Sequence, residues 1–260
     1  MRAPKWLRLP AADEDPREMT FLEHLEELRW VLIRSGIVVL LAAVAMWLLS
    51  DWIYQQVLLR PLQPIMEELP SLRIVTLRPA GLFLALLNIS LWAAVLITVP
   101  YLAWELWRFV APGLFKHERR LVPITVLVTA VCFLAGAALA YFVVLPYALR
   151  FFLTTWPDLA EFPLEIREYL SFSMRLVLSF GLIFELPILS FFLTRIGVLT
   201  PDIMRKGRAY GYFIIALLSA FITPPDPMTM VILMGPLVLL YEVSIWVAAA
   251  AARRRREELP

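Results

Sequence analysis

One cysteine, two histidines and nine glycines among 260 residues exclude several chemistries at once. Cys132 has no partner with which to form an internal disulfide, and its apolar neighbours make packing its expected role. His24 and His117 have no cysteine pair and no carboxylate–histidine spacing around them, so no metal site is expected. The sparse glycines build no phosphate-binding loop, which argues against nucleotide hydrolysis, and the serines and threonines form no nucleophile arrangement. The chain is therefore expected to be neither an enzyme nor the holder of a cofactor. No cleavable signal peptide, internal repeat or low-complexity linker is legible either. Charge is scarce as well, at 18% of residues against about 25% in a soluble domain.

What the chain has in excess is apolar surface. Hydrophobic residues make up 61% of it, where a soluble domain holds about 45–50%. They gather in runs close to the roughly 20 residues that cross a hydrocarbon core. Four are clear: Ser35–Leu49, Leu82–Trp104, Val122–Leu145 and Leu170–Thr194. Two more, Ala209–Ile222 and Thr229–Ala252, flank the turn Thr223-Pro224-Pro225-Asp226-Pro227. Basic residues orient the spans, because cytoplasmic loops retain positive charge. With six spans and an inside N-terminus, 18 of the 24 Lys and Arg fall inside and five outside, with Arg175 within a span. A five-span arrangement would export a basic cluster. The fold class expected is thus an all-α integral membrane protein of six transmembrane helices with both termini cytoplasmic. Its shape is expected to be a cupped bundle with short fifth and sixth spans and helical caps on the periplasmic side.

Residues 1–19 read as a flexible cytoplasmic extension, 20–252 as a single membrane domain and 253–260 as a basic cytoplasmic tail held against anionic lipid. Thr20-Phe21-Leu22-Glu23 has the form of a helix-opening capping box. Behind it, Leu22, Leu25, Leu28 and Leu32 line one face of an amphipathic helix that leads into the first span. Prolines 61, 64, 70 and 79 limit loop 51–80 to short helices, and Pro146, Pro157 and Pro163 predict the same for loop 146–168. Thr200-Pro201-Asp202 predicts a Thr-capped helix with proline at its first position.

Several stretches in order resemble the TatC family of the twin-arginine protein translocase. They are Phe21–Arg29 (FLEHLEELR), Phe109–Arg120 (FVAPGLFKHERR), Ala140–Pro146 (AYFVVLP), Phe184–Pro187 (FELP) and the Thr223–Asp226 turn. The likeness covers residues 20–247, and it departs from the family pattern at Arg175, usually small or apolar, and at Met230, often a polar Gln. It implies a receptor for twin-arginine signal peptides of folded cargo, driven by the proton-motive force. The implied partners are single-span TatA- and TatB-type proteins and further copies of the chain within a larger complex in the lipid bilayer; nucleic acid is not among them.

By the same resemblance Glu27 and Glu118 contact the signal peptide, Arg29, Phe109 and Arg119 shape that surface, and Glu185 is a functional group inside the membrane. Pro61, Tyr141, Thr223 and Asp226 are implied as partner-contact or structural positions. The residue chemistry is compatible. Glu26 has Arg29 at i+3, whereas Glu27 meets Trp30 and Val31 and finds no cation downstream on its own helix. Such a carboxylate could be a solvated surface acid or could accept the planar fork of an incoming guanidinium. Glu118 lies among Lys116, His117, Arg119 and Arg120, where local charge balance is the alternative. Glu185 is isolated in mid-span, where an ionisable group is expensive and a functional role is expected. It is expected to face the short fifth span, with Pro187 kinking its own. A solute transporter and a membrane scaffold or insertase are the rival classes; the first would show repeats and broken helices at the midplane, and the second lacks a use for Glu27 and Glu118.

Overall fold

The computed structural model describes residues 21–69, 72–111, 122–154, 163–223 and 227–258. Helix α1 (Phe21–Leu48) opens at the segment anticipated from the capping box and runs without interruption from the amphipathic stretch into the first apolar run. Three short pieces follow: α2 (Ser50–Ile53), a wide π-turn over Tyr54–Leu58, and α3 (Gln63–Glu68) with a proline in its first turn. These are the short helices that the prolines of this loop predict. Pro61 is buried between the wide turn and α3, beside fully buried Leu62.

Strand β1 (Arg73–Val75) leads to α4 (Gly81–Val110), which carries Pro100 within it. Helix α5 (Val122–Thr154) then crosses back, widening into a π-turn over Ala140–Val144. Here the expected loop from 146 is corrected: the helix continues through Pro146 to Thr154. Pro146 has no N–H and its ring crowds the preceding turn, and the wide turn immediately before it absorbs the misfit. Strand β2 (Pro163–Glu165) pairs in parallel with β1, Ile74 opposite Leu164, and joins the two loops at that end of the bundle. Nothing in the hydrophobic pattern announces three-residue strands.

Helix α6 (Ile166–Ile183) and helix α7 (Leu186–Arg195) form one membrane-length segment broken at Phe184–Glu185, where Pro187 occupies the first turn of α7. The proline expectation holds. Thr200 accepts a hydrogen bond from the Ile203 N–H at 3.3 Å and opens α8 (Pro201–Lys206), as its sequence predicts. Helix α9 (Arg208–Ile222) has 15 residues, the short fifth apolar segment. Helix α10 (Pro227–Glu258) has 32, so the expectation of a short sixth span is corrected. Pro236 does not end it, and the alanine-rich stretch from Ala248 to Ala252 carries the helix on. Among the described residues five segments are long and apolar enough to cross a membrane, and α9 is a shorter apolar helix.

Helix crossings are set by small residues. A Cβ on Gly136 of α5 would lie 2.6 Å from the Phe180 carbonyl of α6, and one on Gly181 would lie 2.7 Å from the Phe133 ring. Each glycine admits the other helix's aromatic, and Phe180 is completely buried at this crossing. The core continues through Ile89, Leu145, Leu176, Leu233 and Leu237, while Leu40, Leu127, Phe213 and Trp246 stand exposed around the outside. That inversion suits a lipid surround. Polar clamps fix the ends: Tyr141 and Tyr169 donate to the Val57 and Leu58 carbonyls, and Arg150 grips Glu68 at 2.9 Å. Arg208 holds Glu242 through two bonds of 2.8 and 2.7 Å, fastening short α9 to α10.

Candidate functional site: an unpaired carboxylate on the first helix

On α1, positions 24, 27, 31 and 34 recur at helical spacing and form the face laid against α4. His24 stacks on Phe109 with ring centroids 4.2 Å apart and planes 13° from parallel. Val31 is buried, and one turn further Arg34 reaches to 3.9 Å from Glu105 of α4. Between these contacts sits Glu27, half-buried, with its Oε2 enclosed and without a hydrogen-bond partner among the described residues. A buried carboxylate oxygen left unmatched is unusual and calls for a ligand or a water.

On the facing helix, Glu105 is the acid that gathers the neighbouring cations. This residue is 3% exposed and draws both nearby guanidiniums to itself, Arg34 from α1 and Arg108 at 3.7 Å one turn along α4. It also accepts the Tyr101 hydroxyl at 3.1 Å. Like Glu27 Oε2, Glu105 Oε2 is enclosed without a hydrogen-bond partner among the described residues, and the two guanidiniums stand at ion-pair rather than hydrogen-bond distance from Glu105. Glu105 was missed in the sequence because it lies one residue past the apolar run that ends at Trp104. Its signal was there in retrospect, an acid with Tyr101 at i−4 and Arg108 at i+3.

Of the other anticipated residues, Phe109 joins Glu27 through His24, whereas Arg29 is exposed on a different face of α1. Glu118 and Arg119, and likewise Asp226, lie outside the described residues. Thr223 is buried and returns its hydroxyl to the Ser219 carbonyl at 2.9 Å at the end of α9. Tyr141 and Pro61 belong to the seam between bundle and cap.

Glu185 forms a second polar position. It caps the break between α6 and α7, half-buried, with Oε1 unpartnered among the described residues. Its carboxyl lies in the neighbourhood of Thr129 of α5, and the Thr129 hydroxyl accepts the indole N–H of Trp107 at 3.0 Å. The expectation that Glu185 faces the short helix is corrected, since the side chains near it, Thr129 and Cys132, stand on α5. Trp107 also packs on Phe192 at 4.1 Å between ring centroids, so the chain α4–α5–α7 is tied together around the break. Among the described residues no cluster of His, Cys, Asp and Glu is arranged to hold a metal ion.

Comparison with known proteins bears on this arrangement as a whole. A family model described as Sec-independent protein translocase protein (TatC) matches residues 23–236. The TatC protein of Aquifex aeolicus (strain VF5) is 36% identical over 241 residues, 92% of this chain and 98% of that one. TatCy of Bacillus subtilis (strain 168) is 31% identical over 244 residues, covering 92% of each. A crystal structure described as the twin-arginine translocase receptor TatC superposes with a TM-score of 0.79 at 36% identity, covering 89% of this chain and 100% of that one. The match takes in Glu27, Glu105, Phe109 and Glu185, and the chain belongs to the TatC family, the multi-pass membrane component of the Sec-independent protein translocase.

Proposed function

We propose that this chain is the receptor subunit of the twin-arginine translocase, binding twin-arginine signal peptides of folded proteins at the cytoplasmic face. The observation that carries this reading is the unmatched, half-buried Glu27 carboxylate beside the His24–Phe109 stack. An arginine of the peptide would close on it as a bidentate fork, and the aromatic pair would bound the site. Glu118, nine residues beyond Phe109 in the basic segment, is proposed as the second acid, with Arg119 and Arg29 shaping the approach. The proposed location is the bacterial inner membrane, on the family match, with both termini in the cytoplasm, an orientation supported by the distribution of Lys and Arg. TatA- and TatB-type single-span proteins and further copies of the chain are the proposed partners, with the proton-motive force driving export.

The test is photo-crosslinking of a twin-arginine peptide to the protein in membranes, together with measured peptide affinity. Crosslinks are expected at residues around Glu27 and Phe109. Glu27→Ala is expected to weaken binding by about 1.5–3 kcal/mol, the value of a charge-assisted hydrogen-bonded pair. A lysine–lysine peptide should also bind less well, because an ammonium cannot reproduce the fork. Equal affinity for wild type and the Glu27→Ala, Glu118→Ala double variant would remove the receptor assignment.

A further inference from the structure

We propose that a cleft between α4 and α6, at the β1–β2 end of the bundle, binds the phosphate of an anionic phospholipid. The cleft encloses about 580 Å³ and is walled by Arg78, Arg167, Arg175, Asn88, Trp92 and Ser171. Its construction is regular. Arg167, Ser171 and Arg175 follow one another at intervals of four on α6, and Asn88 and Trp92 do so on α4, so two helices present one polar face each to the same space. Arg78 closes it from the segment just before α4.

The charge is unbalanced. Glu168 is the one acid in the wall, against three arginines. None of the three arginines is in an ion pair among the described residues. Arg175 gives its Nε–H to the Ser171 carbonyl at 3.2 Å, which fixes the direction of the side chain and leaves both terminal nitrogens of the guanidinium available. It stands nine residues inside α6, about 13 Å below the helix start at 1.5 Å per residue. A guanidinium at that depth is costly without a partner, and an anion is the partner that would offset the cost. Phosphate oxygens fit, since each guanidinium offers them two parallel donors.

The source of the phosphate follows from the surroundings. An apolar recess of about 280 Å³, lined by Leu84, Ala85, Leu87 and Leu170, adjoins the cleft and shares Asn88 and Arg167 with it. Leu84, Leu87 and Leu91 of the same helix are exposed, and Trp92 is the kind of residue that settles at the headgroup level. A charged headgroup joined to hydrocarbon matches both parts, while free phosphate would use only one. Zwitterionic lipids would bring an ammonium towards three arginines, so the cleft should prefer anionic ones. Arg175, otherwise out of place in a span, thereby acquires a role. This inference does not depend on signal-peptide recognition at Glu27.

The experiment uses the full chain in mixed micelles of phosphatidylglycerol and phosphatidylcholine in equal amounts, with retained lipid read by native mass spectrometry. Wild type is expected to hold phosphatidylglycerol preferentially. Arg175→Leu with Arg167→Gln should lower that retention about tenfold, and Arg78→Gln, an exposed position outside any helix, should lower it in a chain whose helices are untouched. Arg175→Lys, which keeps the charge, should retain an intermediate amount. Arg150→Gln, a cation paired outside the cleft, should change nothing. Thermal unfolding measured alongside separates loss of the cleft from loss of the fold. Equal retention of the two lipids by wild type, or undiminished preference in both the double variant and Arg78→Gln, would overturn the proposal. So would displacement of the lipid by an excess of inorganic phosphate, which would make the site a reader of phosphate alone.

Discussion

Removing Glu105 tests the idea that its function is to keep Glu27 unpaired. In Glu105→Ala the carboxylate that engages Arg34 and Arg108 disappears, and the two guanidiniums remain close to each other. At separations of 3.9 and 3.7 Å each ion pair is worth about 4 kcal/mol at an effective dielectric near 20, and about 1 in water. The Arg34 side chain, 34% exposed, lies towards the weaker limit, and Arg108, 17% exposed, towards the stronger. Part of the loss is returned because Glu105 no longer has to be desolvated. A net destabilisation of about 2–3 kcal/mol is the expected outcome, visible as a lower midpoint of thermal unfolding in detergent. The informative effect is on binding. Arg34, seven residues from Glu27 on the same face of α1, is released to compete with the peptide for the Glu27 carboxylate. Twin-arginine peptide affinity should therefore fall in Glu105→Ala although Glu105 is not offered to the peptide. Adding Arg34→Gln should restore affinity without restoring stability, an opposite coupling in the two readouts that a double-mutant cycle resolves. Unchanged affinity in Glu105→Ala, or failure of Arg34→Gln to rescue it, would refute the reasoning.

The parts of this fold that were legible in the sequence are those encoded by local rules. Apolar runs gave the spans, Thr200-Pro201 gave a helix start, and Pro187 gave the break beside Glu185, each a matter of a few adjacent residues. What stayed hidden needed partners far apart in the chain. The β1–β2 pairing joins Arg73 to Pro163 through three residues a strand, too few for an alternating pattern to register. The passage of α5 through Pro146 depends on a wide turn that no propensity specifies. At the site, Glu27 was recognisable from its motif, but the buried acid on the facing helix was not. Glu105 sits on α4, 78 residues away, and looked like the boundary of an apolar run. Glu185 was singled out in the sequence as an isolated mid-span carboxyl, and its direction was misjudged because Thr129 and Trp107 carry no mark of such a role in the sequence.

Three further outcomes follow from the packing and from the orientation proposed. Gly136→Ala should destabilise the protein by about 1–3 kcal/mol, because its methyl group has to displace the α6 backbone, whereas Gly36→Ala, with nothing within 4 Å, should not; equal melting temperatures for the two would contradict the α5–α6 crossing. In a cysteine-free background, Met228→Cys should be labelled only from the periplasmic side and Lys206→Cys only from the cytoplasmic side, and the reverse pattern would discard the orientation of α9 and α10. The last concerns the length of α9. Its 15 residues supply about 22 Å of helix against a hydrocarbon core of about 30 Å. The Arg208–Glu242 clamp at one end and buried Thr223 at the other leave no slack by which the helix could slide. Tyr210, Phe213, Leu217 and Phe221 are exposed along it, so the shortfall is presented to lipid rather than filled by protein. The bilayer beside α9 must then thin to meet it. Inserting four leucines after Ala216 removes the mismatch, and it should impair export while leaving twin-arginine peptide binding at the distant α1–α4 face largely intact. Undiminished export by the lengthened protein would show that thinning beside α9 has no part in transport.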